Sequence, residues 1–342
     1  MSAQTYVFVS CASEQHITTL AFDPASGTLH EVARTPVPGP DATGSGSLPL
    51  ALSPDRTRLY AGLRATPWTV VTFAIDPATA ALAPIGHAAL ADSMCYLSTD
   101  ATGRTLFSAS YSGAKLAANP IDANGIAGPV NQVLDTPPKA HSALPDPSNR
   151  FVYAASLGGD ALLCQGFDAP TGRLAPGIAI AARTAPGAGP RHFAFGPAGR
   201  SLYLVNELDG TVNAYARDTA TGALTQRQTV SLLPEGTPLP VAAADIHLTP
   251  DGRFLYASER STDTISGFAI HAEDFTLTPI CRVPSEPTPR GFAIAPNGRF
   301  LLCAGLASGR LATYAIAPDG TLSRLGAIDV GGGANWVEFL TL

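Results

Sequence analysis

The sequence predicts an all-β fold, a seven-bladed β-propeller of four-stranded antiparallel blades, and three observations carry that prediction. Turn formers are abundant, with 33 Gly and 30 Pro in 342 residues, while only 14% of the chain is charged. One strand–turn–strand motif recurs along the chain at intervals of roughly 46–54 residues, a period that signals a repeat architecture. Between its copies lie short segments of period-two alternation that end in Ala-Thr-Gly or Pro-Asp-Gly turns, as strands joined by tight turns do. Four short strands per unit at this spacing is the pattern of a propeller blade.

The first half of each unit is plain in Leu52-Ser-Pro-Asp-Arg-Thr-Arg-Leu-Tyr60, Asp146-Pro-Ser-Asn-Arg-Phe-Val-Tyr153, Gly196-Pro-Ala-Gly-Arg-Ser-Leu-Tyr203, Thr249-Pro-Asp-Gly-Arg-Phe-Leu-Tyr256 and Ala295-Pro-Asn-Gly-Arg-Phe-Leu-Leu302. Thr99 to Phe107 is a looser copy, longer by about a residue. The second half appears in Val70-Val-Thr-Phe-Ala-Ile-Asp76, Val212-Asn-Ala-Tyr-Ala-Arg-Asp218 and Leu311-Ala-Thr-Tyr-Ala-Ile316. Second-strand anchors fall at Tyr6, Tyr60, Phe107, Tyr153, Tyr203, Tyr256 and Leu302, which sets the blade number at seven. Only five residues precede Tyr6, so the first blade lacks an innermost strand, and Asn335-Trp-Val-Glu-Phe-Leu340 is a strand without a second one after it. The two leftovers complete one blade, so the C-terminal strand is expected to close the ring beside the N-terminal blade and remove exposed sheet edges. No linker interrupts the period; Gly39 to Ser47 reads as a surface loop, and residues 1–342 are expected to form a single domain.

Charge and composition exclude several functions. A net charge of -6 argues against nucleic acid as partner, because phosphate-backbone binding needs a basic surface. The apolar stretch Trp68 to Ile75 is too short to span a bilayer, and Met1 to Cys11 has no basic start or signal-peptide core;. Five cysteines in no pairing pattern point to reduced thiols and a cytoplasmic location;. There is no zinc-type spacing of His and Cys, no nucleophile elbow and no phosphate-binding glycine loop;. Neither a metal nor a cofactor is expected.

Ring symmetry turns spacing into geometry. Six residues before the turn proline, at the entrance of each innermost strand, stand Leu48, His141, Arg191, Ala244 and Arg290, with Met94 or a neighbour in the loose third blade. Four residues after each second-strand anchor stand Ser10, Arg64, Tyr111, Leu157, Glu207, Arg260 and Leu306. First and second strands are antiparallel, so the start of one lies beside the end of the other, and both rings should open on one face around the channel. His141, Arg191, Arg290, Arg64, Glu207 and Arg260 would converge there, an arrangement suited to a small anion. Taken singly, an arginine at a strand end suits a solvated surface role, and Glu207 suits a structural bridge to Arg260. Shared positions on one face raise the functional reading. His192 and His247 lie one and three positions deeper, where a structural role is favoured, and they complete the candidate substrate-binding set with Tyr111.

At these residues the chain resembles the seven-bladed lactonase family of 6-phosphogluconolactonase type. The resemblance rests on Ala140-His141-Ser142, Gly189-Pro-Arg-His192, Val205-Asn-Glu-Leu208, Ala243-Ala-Asp-Ile-His-Leu-Thr-Pro-Asp-Gly252 and Pro289-Arg-Gly-Phe292. It implies a His, two Arg and a Glu in the funnel, which by motif fall on His141, Arg191, Glu207 and Arg260. The third blade departs from the family pattern, with Met94-Cys-Tyr-Leu-Ser-Thr-Asp100 in place of a Pro-Thr-His-Ile-Ser-Thr-Asp type of sequence. The second departs as well, with Leu48-Pro-Leu50 in place of Gln-Pro-Met.

The expected reaction is metal-independent opening of the ester ring of an anionic sugar lactone, 6-phosphogluconolactone first, by a monomer or weak homodimer. His141 or Glu207 would be the base, Arg191 and Arg260 would hold the oxyanion, and Arg64 or Arg290 would hold the distal anionic group. Alternatives are an aldarolactonase acting on galactaro- or glucaro-lactone, a carboxymuconate-type cycloisomerase, and a non-enzymatic interaction module.

Overall fold

A computed structural model describes residues 4–342. Its sheets are seven antiparallel blades, six of four strands and one whose outer strand is split in two. The seam blade joins Ala334–Thr341 to Thr5–Cys11, with Thr5 opposite Thr341 and Val9 opposite Val337. The remaining innermost strands are Leu50–Leu52, Met94–Thr99, Ala140–Pro145, Pro190–Phe195, Ala243–Leu248 and Pro289–Ile294. Each of the seven packs on its two neighbours around the axis, which closes the ring.

The low charge content follows from this layering. Second strands such as Thr105–Ser110, Ser201–Asn206 and Phe300–Gly305 are buried at every position, because both faces of the blade meet a neighbouring blade. Outer strands such as Leu29–Pro36 and Leu224–Ser231 alternate between half-buried and exposed residues and hold much of the polar sequence. Apolar residues gather into seven clusters, one between each pair of adjacent blades. The core is therefore a ring of interfaces.

The recurrent turn residues have a common cause. Gly103, Gly199, Gly252 and Gly298 adopt φ of 68°, 63°, 70° and 70°, a left-handed conformation that glycine takes without a Cβ clash. In the second and fourth blades Arg56 and Asn149 hold the same conformation. The turn glycine also lies over the turn proline of the preceding blade, so that a Cβ on Gly252 would overlap Pro197. The anchor tyrosines act across blades as well. The hydroxyls of Tyr60, Tyr153 and Tyr256 donate to the carbonyls of Gly125, Gly222 and Gly320, each in an outer turn of the next blade.

Two local departures from the sequence reading stand out. The innermost strand of blade 2 shrinks to Leu50–Leu52, and the outer strand of blade 4 splits into Arg173–Leu174 and Ile180–Arg183.

Candidate active site

The entrance of the innermost strand carries a repeated irregularity. Pairing with the second strand skips one residue between Ala140 and Ser142, Pro190 and His192, Pro289 and Gly291, and Met94 and Tyr96. The skipped residues are His141, Arg191, Arg290 and Cys95. A bulge of this kind frees a residue from the ladder and re-aims its side chain. In blade 6 the skip spans Ala244 and Asp245, and in the seam blade it falls at Asn335. The third-blade position is thus Cys95; Met94 is buried in the cluster between blades 2 and 3.

The second ring meets the first as antiparallel pairing requires. The Glu207 N–H donates to the Gly189 carbonyl at 2.7 Å, and the Arg260 N–H and Nε donate to the Ala242 carbonyl at 3.1 and 2.9 Å. These bonds set Glu207 and Arg260 beside the entrances of the strands of blades 5 and 6. There the Glu207 carboxylate lies 2.8 Å from Arg191 Nε and 3.2 Å from Arg260 Nη2. Neither contact has hydrogen-bond alignment, so both buried donors keep their N–H vectors off the carboxylate. Arg191, fully buried, also donates from Nη1 to the Ala244 carbonyl, while its own carbonyl accepts from Ser142 Oγ at 2.6 Å.

His141 packs edge-on against Tyr111 and His192, with ring centroids 5.8 and 5.1 Å away. Burial, then the charges of Arg191, His192 and Arg290, hold its pKa well below the ordinary histidine value. It is neutral at physiological pH, with a lone pair free to take a proton. Burial would raise Glu207, but Arg191 and Arg260 outweigh it and hold the carboxyl below its usual range. Arg290 makes no ion pair among the described residues; burial, Arg191 and Arg260 pull it down to about 9. A guanidinium remains charged under such pressure, and the pressure is what an incoming anion relieves. Arg64 donates to Ser93 Oγ at 3.2 Å and Ser45 O at 3.4 Å, again with no carboxylate partner.

The structure thus brings together His141, Arg191, Glu207, Arg260 and Tyr111 by direct contact, and Arg64 and Arg290 by the charge they impose on the group. It adds three residues that the repeat count missed. Asn335, from the closing strand, accepts from Ser10 Oγ at 2.8 Å and donates to Gly46 O. Its signal was weak because no turn proline follows it. Lys139 stands at the rim at φ 62° with its ammonium 5.6 Å from the Tyr111 ring centroid. Asp245 is the third. Its carboxylate bridges His192 Nδ1 at 2.8 Å and His247 Nε2 at 3.1 Å.

The two deeper histidines part company. His192 lies in the channel against Tyr96, Trp336 and His141. His247 lines a cavity of about 370 Å³ with Arg56, Leu248, Ile294 and Glu338, which opens at the turn end of the innermost strands, away from the arginines. Burial and Arg191 pull His192 down to about 4. Between that value and about 6.5 the unfolded chain binds a proton that the folded chain refuses, so stability is full above this window and lost as pH falls through it. Lowering the pH from about 7 to 4.5 should cost about 2–3 kcal/mol through His192 alone. Urea midpoints across this range will show it, and the loss should shrink in His192→Gln.

Comparisons with known proteins agree with this geometry. A family described as "Lactonase, 7-bladed beta-propeller" matches residues 41–339. The chain is 39% identical over 340 residues to a 6-phosphogluconolactonase of Pectobacterium carotovorum, covering 99% of each. It is 38% identical over 336 residues to one of Sodalis glossinidius, covering 98% of each. Among solved structures it is similar to the periplasmic gluconolactonase PpgL of Pseudomonas aeruginosa (TM-score 0.87, 29% identity, 99% of each chain). A putative 6-phosphogluconolactonase of Bacteroides fragilis is also similar, with TM-score 0.88 and 25% identity over 99% of this chain and 98% of the other. The fold, the funnel residues and the full-length similarity converge, and the chain belongs to the seven-bladed β-propeller lactonase family.

Proposed function

We infer that the protein is a lactonase that hydrolyses the ring ester of an anionic sugar lactone, with 6-phosphogluconolactone as first substrate. The observation that carries this is the neutral His141 beside two arginines clamped by one carboxylate, with two further arginines that have no carboxylate partner. The full-length relatives named 6-phosphogluconolactonase support the substrate class.

His141 is the base. It takes a proton from water as the oxygen attacks the ring carbonyl, a role worth roughly 10²–10⁴ in rate. Arg191 and Arg260 face the developing oxyanion with donors that the Glu207 carboxylate leaves unaligned. Glu207 is a poor base, because its proton affinity is held low by the same two charges; its work is to fix both guanidinium planes. As the ring C–O bond breaks, the leaving oxygen takes the proton from His141. The new carboxylic acid then ionises and one proton leaves the protein per turnover. Arg290 and Arg64 hold the distal phosphate, for which bidentate arginine contacts are well suited, and Tyr111 flanks the sugar ring.

The five cysteines are unpaired, which suits a reducing compartment and a cytoplasmic protein;. No helix among the described residues is long and apolar enough to cross a membrane. Large exposed hydrophobic residues are scattered over outer strands and loops, including Val32, Ile85 and Leu325, which suits a monomer or weak homodimer;.

The test is kcat/KM on 6-phosphogluconolactone, gluconolactone, galactaro-lactone and carboxymuconate, after correction for spontaneous hydrolysis. The phosphorylated lactone should be preferred. Arg290→Ala should lower kcat/KM on it by about 10–100-fold, the worth of a charged hydrogen bond, with a smaller effect on gluconolactone. Equal losses on both would remove Arg290 from the phosphate site. Preference for the aldarolactone would place a carboxylate there, and turnover of carboxymuconate alone would replace hydrolysis by cycloisomerisation.

A further inference from the structure

The hydrolytic reading leaves one arrangement unused. His192, Asp245 and His247 form a continuous hydrogen-bonded chain along the propeller axis, from the channel beside His141 to the cavity at the opposite mouth. Asp245 is held rigidly in the middle, since its carboxylate also accepts the N–H groups of Ile246 and Phe292 at 3.0 and 3.1 Å. At the inner end, His141 Nδ1 and His192 Nε2 are both buried without a hydrogen-bond partner. At the outer end, the His247 side chain is 42% exposed, against 7% for His192. A purely structural bridge has no need of an exposed terminus or of two buried, unpartnered ring nitrogens.

The charges along the axis have a direction. Around the funnel, Arg64, Arg191, Arg260 and Arg290 face a single carboxylate, Glu207, and the exposed Lys139 stands at its rim. At the other mouth, Asp245 and Glu338 face His247, with Arg56 the one arginine lining the cavity. The groups beside His192 are His141, Tyr96, Trp336, Arg191 and Asp245. A proton leaving through the funnel must pass the arginines and any bound anion. One leaving along the axis moves towards carboxylates.

We propose that His192, Asp245 and His247 are a proton outlet that carries the proton liberated by ring opening from His141 to solvent at the mouth opposite the substrate funnel. This rests on the hydrolytic reading. The product carboxylic acid passes its proton to neutral His141, and His192 takes it at Nε2. The Nδ1 proton of His192 moves to Asp245, the carboxyl passes a proton to His247 Nε2, and His247 releases one from Nδ1 to water or buffer. No electrons change hands, and the sum is lactone plus water giving hydroxy-carboxylate plus one proton. In this scheme His247 touches neither substrate nor water nucleophile and acts through its neighbours.

The experiment compares kcat and KM on 6-phosphogluconolactone in very dilute and in concentrated buffer, for wild type and His247→Ala, with and without imidazole. Wild-type turnover should be insensitive to buffer. His247→Ala should lose about tenfold in kcat in dilute buffer with KM unchanged, and imidazole should restore it through the open cavity. His247→Gln, which retains most of the side-chain volume, should show the same loss if the alanine variant is poorly folded. Wild-type kcat in either folded variant in dilute buffer would overturn the outlet, as would a loss that imidazole does not restore. Wild type inactive on every lactone would instead overturn the hydrolytic reading, so the two failures are distinct.

Discussion

Replacing His141 with Ala is expected to lower kcat by about 10²–10⁴, the worth of a positioned general base, while the fold survives. The residue sits at a bulge, free of the strand ladder, and its ring makes no side-chain hydrogen bond among the described residues. Its removal therefore breaks no polar network, and the thermal midpoint should move little compared with the rate. The expected pH dependence follows from its environment. Burial and the surrounding cations depress its pKa, so the base is already unprotonated at neutrality and kcat/KM should stay flat from neutral pH down to a limb well below about 6.5. Steady-state kinetics across this range checks both points. Wild-type kcat in a folded His141→Ala protein would remove His141 from the chemistry. Glu207→Gln should lower kcat without moving that limb, because its carboxylate acts by holding two guanidinium groups in place.

Arg191→Ala carries the second large effect and differs in kind, because rate and stability fall together. The guanidinium faces the developing oxyanion, and loss of one such donor costs on the order of 10²–10³ in kcat. It is also the largest fully buried side chain and bridges the Glu207 carboxylate and the Ala244 carbonyl. Breaking a buried pair costs about 3–5 kcal/mol where the surviving charge is left alone; Glu207 keeps Arg260, so the cost should fall below that range. Arg191→Lys should rescue little, since an ammonium cannot satisfy two directions in one plane. Kinetics and urea unfolding on Arg191→Ala, Glu207→Gln and the double variant will separate the parts. The two losses should be strongly non-additive, as expected of groups that act as a unit.

Much of the fold was legible because one physical event repeats. Every blade must turn tightly between its first two strands and bury both faces of the second, so Pro, Gly and a Tyr or Phe anchor recur at fixed offsets. Those offsets located His141, Arg191, Arg290, Glu207 and Arg260, since the bulge sits at the same count from each turn. What escaped was whatever the count does not reach. Asn335 has no turn after it, and Lys139 lies one residue outside the strand. Asp245 occupies the bulge of blade 6 together with Ala244, the residue the count selected. The separation of His192 from His247 was also hidden. Both alternate towards the channel, but His247 lies two positions further along its strand, about 7 Å deeper at strand rise, which carries it past the funnel floor into the other mouth. The Arg191–Glu207–Arg260 clamp was read as a pair because only coordinates show Arg191 reaching across to Glu207.

The seam blade couples two properties that need not go together. Asn335 and Trp336 reach the channel only when Ala334–Thr341 pairs with Thr5–Cys11, a contact between segments more than 320 residues apart in sequence. An arc of six blades can bury five or more of its interfaces and still lack these side chains at the funnel. Long-range pairing of this sort is slow to form, because the entropy of bringing distant segments together is lost before any contact rewards it. Catalytic competence should therefore appear late in refolding, in step with ring closure and after most secondary structure. In an unstapled ring, recovered turnover is a clock for topology.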